Sequence, residues 1–122
     1  MVGVNKDEEN LRWALQGGEG EYIYENIHSD TVNNPVCGRT PLHHLADYGH
    51  IDLALYVIKL GANLNAVDKH GMTPLVCAVF ENHPEIVRVL LSHGADATVK
   101  TPDGKTLLES TENEEIKKML SA

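Results

Sequence analysis

Apolar residues recur along this chain in short helical stripes, separated by polar turns rich in glycine, proline, asparagine and aspartate. The clearest stripe begins at Gly71-Met72-Thr73-Pro74-Leu75. Thr73 is placed to cap free amides, and Pro74 fits a first helical turn, where no donor is needed. Leu75, Ala78 and Val79 then share one helical face. Pro84 opens a second helix with Ile86, Val87, Val89, Leu90 and Leu91 as its apolar residues. Gly94 ends that helix by supplying a left-handed backbone. The pattern predicts a helix–turn–helix followed by a reversing loop.

The same unit occurs 33 residues earlier. Thr40-Pro41-Leu42-His43 aligns with Thr73-Pro74-Leu75-Val76, Gly61-Ala62-Asn63 with Gly94-Ala95-Asp96, and His50 with His83. A period of this length carrying Thr-Pro-Leu-His resembles the ankyrin repeat. The resemblance implies an all-α ankyrin-repeat solenoid of about four helix–turn–helix units with finger loops.

The chain divides on this reading into a divergent N-terminal cap (1–33), two full units (34–66 and 67–99) and a C-terminal cap (100–122). In the first cap, Asp7-Glu8-Glu9 suits a helix start, Gly17 and Gly18 break that helix, and Glu21 to His28 forms a second. The second unit is expected to hold helices at Pro41–Tyr48 and Ile51–Leu60. Leu45 occupies a place where such units usually carry alanine. The last unit keeps Asp103-Gly104 and Thr106 but lacks the proline, so its first helix is shortened, and Asn113 to Leu120 closes the stack. Atypical terminal units are expected because their outer faces meet water.

Stacked units of this kind line a hollow with their first helices and project their loops as fingers, here at 33–38, 63–71 and 96–104. Variable positions between the apolar ones are expected to point into the hollow: His44, Asp47 and Tyr48 in the second unit, and Cys77, Phe80 and Glu81 in the third. Arg12, Trp13 and Gln16 are the candidates from the first. Trp13, the single tryptophan, either packs over Leu45 or stands as a partly exposed anchor of the kind that dominates interfaces. The candidate partner-binding set is Trp13, His44, Asp47, Tyr48, Asp68, His70, Phe80 and Glu81, with Asp68 and His70 contributed by a finger.

Charge narrows the partner. Eighteen acidic against ten basic residues leave a net charge of −8. Nucleic-acid binding needs a basic stripe and is disfavoured; a protein with a basic patch fits. No apolar run approaches the roughly 20 residues of a membrane span. Residues Met1 to Asn10 are too polar for a signal peptide, and the expected location is the cytoplasm, with the nucleus as a second compartment. Cys37 and Cys77 have neither a close pairing nor a metal-binding spacing, and are read as reduced thiols.

Seven histidines raise the question of an enzyme or a metal site. His43 belongs to the capping element, and His50 and His83 hold matching turn positions. His43 and His44 are adjacent, which points their rings to different sides of a helix. Gly17-Gly18-Glu19-Gly20 lacks the lysine and hydroxyl of a phosphate loop. No catalytic group, metal or cofactor is expected, and the chain is expected to be a monomer.

A finer resemblance covers nearly the whole chain. Arg12-Trp13-Ala14-Leu15, Pro41-Leu42-His43 with Ala46-Asp47, Asp68-Lys69-His70, Ala78-Val79-Phe80-Glu81, Thr98-Val99-Lys100 and Pro102-Asp103-Gly104 look like the myotrophin group of ankyrin proteins. His44, Tyr48 and Cys77 depart from that group's pattern. The resemblance implies a non-enzymatic regulator that binds and sequesters the heterodimeric actin capping protein and so favours barbed-end growth. It places Trp13, Asp47, Phe80 and Glu81 at interface-type positions. Rel-type transcription factors are the alternative partner it implies.

Overall fold

The computed structural model describes residues 6–121, with no side-chain description for Lys6. The expectations for residues 1–5 lie outside the described residues. The order of elements is α1 (Lys6–Gly17), α2 (Gly20–Asn26), α3 (Pro41–Tyr48), α4 (Ile51–Lys59), α5 (Pro74–Phe80) and α6 (Pro84–Ser92). A single 3₁₀ turn (Leu108–Ser110) and α7 (Glu114–Ser121) follow. Extended pairing among the described residues is limited to two isolated bridges, Val36 with Arg39 and Lys100 with Thr106, at finger turns.

Thr-Pro starts both central first helices as expected. The Thr40 hydroxyl accepts from His43 N, and the Thr73 hydroxyl from Val76 N. His43 completes the cap: its Nδ1 accepts from Thr40 N at 3.1 Å. That leaves the proton on Nε2, which donates to Met72 O of the next unit at 2.8 Å. The Thr-Pro-Leu-His element therefore caps a helix and ties two units together.

A second tie repeats at the inter-helix turn. His50 Nε2 donates to Gln16 O at 2.8 Å, and His83 Nε2 donates to Asp47 O at 3.0 Å. Both carbonyls lie at the end of the preceding unit's first helix, where intrahelical partners run out. The residues closing those helices, Gly18 and Gly49, are left-handed, with φ of 71° and 78°. The third unit uses Asn82 at this place, with φ of 60°, and Asn113 Nδ2 donates to Asn82 Oδ1 at 2.7 Å.

Loops are tied the same way. Asn33 Oδ1 accepts from Asn63 N at 2.7 Å and Asn65 Oδ1 from Asp96 N at 2.9 Å. One core runs through the stack, from Ala14, Leu15 and Ile23 through Leu42, Leu45, Leu75 and Ile86 to Leu107 and Ile116. Leu45 is fully buried, so the extra bulk at that place is absorbed by the core. Burying each such side chain contributes about 1.5–3 kcal/mol.

Three boundaries differ slightly from the sequence reading. α2 ends at Asn26, because Ile27 turns extended (φ −120°) to bury its side chain. Leu60 lies just past α4 as its C-cap. α7 starts one residue after Asn113, whose Oδ1 accepts from Glu115 N and Ile116 N and acts as its cap.

Candidate binding face

The first helices lie side by side, α1 against α3 and α3 against α5. Each carries one large ring in water: Trp13 is 63% exposed, Tyr48 47% and Phe80 46%. The left-handed residues Gly18, Gly49 and Asn82 fix a common register for the three helices. Trp13, His44 and Cys77 each precede that residue by five positions, Gln16, Asp47 and Phe80 by two, and Tyr48 and Glu81 by one. The rings thus come from three different columns and spread across the face.

Burial corrects part of the sequence reading. His44 was expected to face outward; it is buried, with Nε2 donating to Val36 O at 2.8 Å. The finger of its own unit roofs it. Its Nδ1 has no partner, and burial lowers its pKa from the ordinary 6.5, so the ring stays neutral. Cys77 was also expected outward and is fully buried. Asp68, placed on a finger as a contact residue, has a side chain with no exposure. Its Oδ1 accepts from His70 N at 2.9 Å and Met72 N at 3.0 Å, shaping the finger turn.

The sequence reading missed Arg39. Its Nε donates to Asp68 Oδ2 at 2.9 Å, Nη1 to Asp47 Oδ2 at 3.2 Å, and Nη2 to Cys77 Sγ at 3.1 Å. One guanidinium therefore joins a finger, α3, the next finger and α5. A signal existed: Arg39 aligns with Met72 and precedes Thr40-Pro41, in a unit that lacks its own finger aspartate. The next unit's Asp68 serves instead. Burial alone would raise the Asp68 pKa, but the Met72 amide, Arg39 and the His70 amide outweigh it and hold the carboxyl below its ordinary value.

Asp47 is half-buried and already paired with Arg39, so it offers a partner less charge than the sequence implied. Glu81 and His70 are exposed, on the end of α5 and on the finger turn respectively. The exposed part of the candidate set is therefore Trp13, Tyr48, Phe80, Glu81 and His70, with Asp47 partly exposed.

Nucleophilic chemistry finds no support here. Burial pushes the Cys77 thiol up to about 12, and Arg39 only partly offsets it. Such a thiol is almost wholly protonated at neutral pH, and the thiolate is the reactive form. Among the described residues no group of three histidine, cysteine or acidic side chains is placed to hold a metal. No helix among them is long and apolar enough to cross a membrane.

Comparison with known proteins agrees with this geometry. The family description "Ankyrin repeats (3 copies)" matches residues 4–101. Human BCL-6 corepressor-like protein 1 is 30% identical over 124 residues, covering 99% of this chain and 7% of that protein. Human transient receptor potential cation channel subfamily A member 1 is 37% identical over 75 residues, covering 62% of this chain and 7% of that protein. Drosophila melanogaster ARF GTPase-activating protein Git is 35% identical over 97 residues, covering 80% and 12% respectively. The chain thus spans a small part of the length of each relative. Their names share no activity, so the likeness lies in the repeat itself.

Proposed function

This chain belongs to the ankyrin-repeat family, and we propose that it acts by binding a protein with a basic surface, through the ring-bearing face of α1, α3 and α5. The observation that carries this reading is the trio of exposed rings, Trp13, Tyr48 and Phe80, on three adjacent helices. Large rings left in water on a protein with a continuous core are typical of a surface that another protein covers. A net charge of −8 favours a cationic partner and speeds its encounter, while desolvated rings slow its release.

Among basic partners, the myotrophin-like stretches named above point first to the heterodimeric actin capping protein. The chain would hold it away from filament barbed ends and so promote their growth, without catalysis. Trp13, Tyr48, Phe80 and Glu81 are the proposed contacts, with His70 beside them on the finger turn. Asp47 contributes from its pair with Arg39. His44 and Asp68 contribute indirectly, by shaping the surface from beneath.

Pyrene-actin elongation in the presence of purified capping protein tests this. The expected result is restored barbed-end growth as the chain is added, diminished by raised salt. Elongation that stays blocked at every concentration of the chain would reject capping protein as the partner.

A further inference from the structure

The spacing of the last unit departs from that of the two central units. Thr40 and His50 are ten residues apart, as are Thr73 and His83, whereas Thr106 and Asn113 are only seven apart. The three missing residues are nearly one helical turn. Where α3 and α5 run eight and seven residues, the last unit has the three-residue 3₁₀ turn Leu108–Ser110. The end of α5 is therefore uncovered on the side facing the last unit.

The result is a notch of about 380 Å³ bounded by Val79, Phe80, Asn82, Ser110, Thr111, Glu112 and Asn113. Val79 is buried beneath it, and the Phe80 ring is half in water at its edge. Two of its lining residues are joined by a hydrogen bond, Asn113 Nδ2 donating to Asn82 Oδ1 at 2.7 Å. Asn113 Oδ1 is already engaged with the first amides of α7. Ser110 Oγ donates to Thr106 O at 2.8 Å, which leaves its lone pairs free to accept. The Glu112 side chain is fully exposed, and its carboxylate pairs with Lys117 Nζ at 3.9 Å. Lys117 is shared with Glu114 at 3.4 Å. An exposed pair this long holds its carboxylate weakly.

We propose that this notch seats one arginine side chain of the partner protein, its guanidinium stacked on the Phe80 ring and hydrogen-bonded to the Glu112 carboxylate. The inference deepens the function proposed above and rests on it. A guanidinium fits better than an ammonium because it is planar, lies flat on an aromatic face, and can donate two parallel N–H groups to one carboxylate. Ser110 Oγ supplies a further acceptor. The charge is complementary: the notch is bounded by the Glu112 carboxylate and the half-exposed Phe80 ring, on a chain of net charge −8. At the two earlier junctions full-length first helices pack side by side, whereas the last unit has only the 3₁₀ turn Leu108–Ser110 at that place.

The test uses a capped tripeptide, acetyl-Gly-Arg-Gly-amide, titrated into the whole chain and followed by amide NMR. Shifts are expected to saturate and to cluster at 79–82 and 110–113. The lysine analogue is expected to bind several-fold more weakly, and the citrulline analogue, which is neutral, not measurably. Phe80→Leu and Glu112→Gln are each expected to weaken the arginine tripeptide about three- to tenfold while leaving the rest of the spectrum in place. Shifts spread over all exposed acidic residues, or insensitivity to both variants, would overturn the seat. Loss of the seat with capping-protein binding intact removes this inference alone. A saturable seat with no capping-protein binding removes only that choice of partner.

Discussion

The imidazole of His83 lies directly against the backbone of Gly49. A methyl group placed on Gly49 would fall 2.8 Å from both Cε1 and Nδ1 of that ring, and the φ of 78° already resists a side chain. The glycine is thus the landing site for the next unit's histidine, and Gly18 takes His50 in the same way. Gly49→Ala is expected to destabilise the chain by about 1–3 kcal/mol, combining backbone strain with loss of the His83 tie. Urea unfolding reads this directly; a change under about 0.5 kcal/mol would mean the contact is not needed.

Arg39 is the central ionic residue of the fold. Arg39→Met, which installs the residue aligned with it in the next unit, leaves the buried Asp68 carboxylate without its counter-charge. The expected loss is about 2–4 kcal/mol, moderated because the His70 and Met72 amides still bind Asp68. Adding Asp68→Thr, the residue that shapes the last finger through Thr101, should recover part of the loss. Strict additivity of the two changes would argue against a coupled pair.

Acid should weaken the fold in two steps. Burial holds the pKa of His43 and His44 below the ordinary 6.5. Above about pH 6.5 both rings are neutral whether the chain is folded or not, so neither contributes a pH dependence. Below it the unfolded chain takes up protons that the folded chain excludes, and stability falls as pH drops from 6.5 toward the folded values. Asp68, held below its ordinary 3.8, keeps its contribution down to that pH and loses it below. Urea midpoints at pH 7.5, 6 and 5 are expected to decline in that order. A midpoint unchanged from pH 7.5 to 5 would contradict the burial of both rings as neutral groups.

The two thiols should separate cleanly. Cys77 is buried, with its pKa pushed up to about 12, whereas Cys37 is partly exposed on a finger turn. A disulfide-exchange reagent is expected to label one thiol quickly and the second only on unfolding, with mass spectrometry locating the fast site at Cys37. Rapid labelling of Cys77 in the folded chain would show that the Arg39 cluster opens.

The repeat architecture was legible because its signals are local and phased. Thr-Pro starts, the glycine at residue 94 and the matched histidines recur at 33 residues, and each has a direct backbone cause. The candidate binding face was legible only in part. Trp13, His44 and Cys77 occupy one column, yet the first is in water and the others are buried. The difference arises from what lies above each. Val36 roofs His44 and Arg39 reaches Cys77, while no finger precedes α1 among the described residues. Helical phase assigns a column, but the cover comes from another loop, and that is a tertiary fact. Asp68 was misplaced for the same reason, since its partner Arg39 lies 29 residues away.

The most direct measurement is the affinity of purified capping protein for the parent chain and for the Trp13→Ala/Phe80→Ala double variant, by titration calorimetry. Trp13 is mostly in water and Phe80 about half, so the variant should unfold close to the parent's urea midpoint. The account predicts that its affinity falls at least about tenfold, as expected for losing two interface rings. Equal affinity of the two proteins, with equal stability, would contradict the claim that this face is where the chain binds.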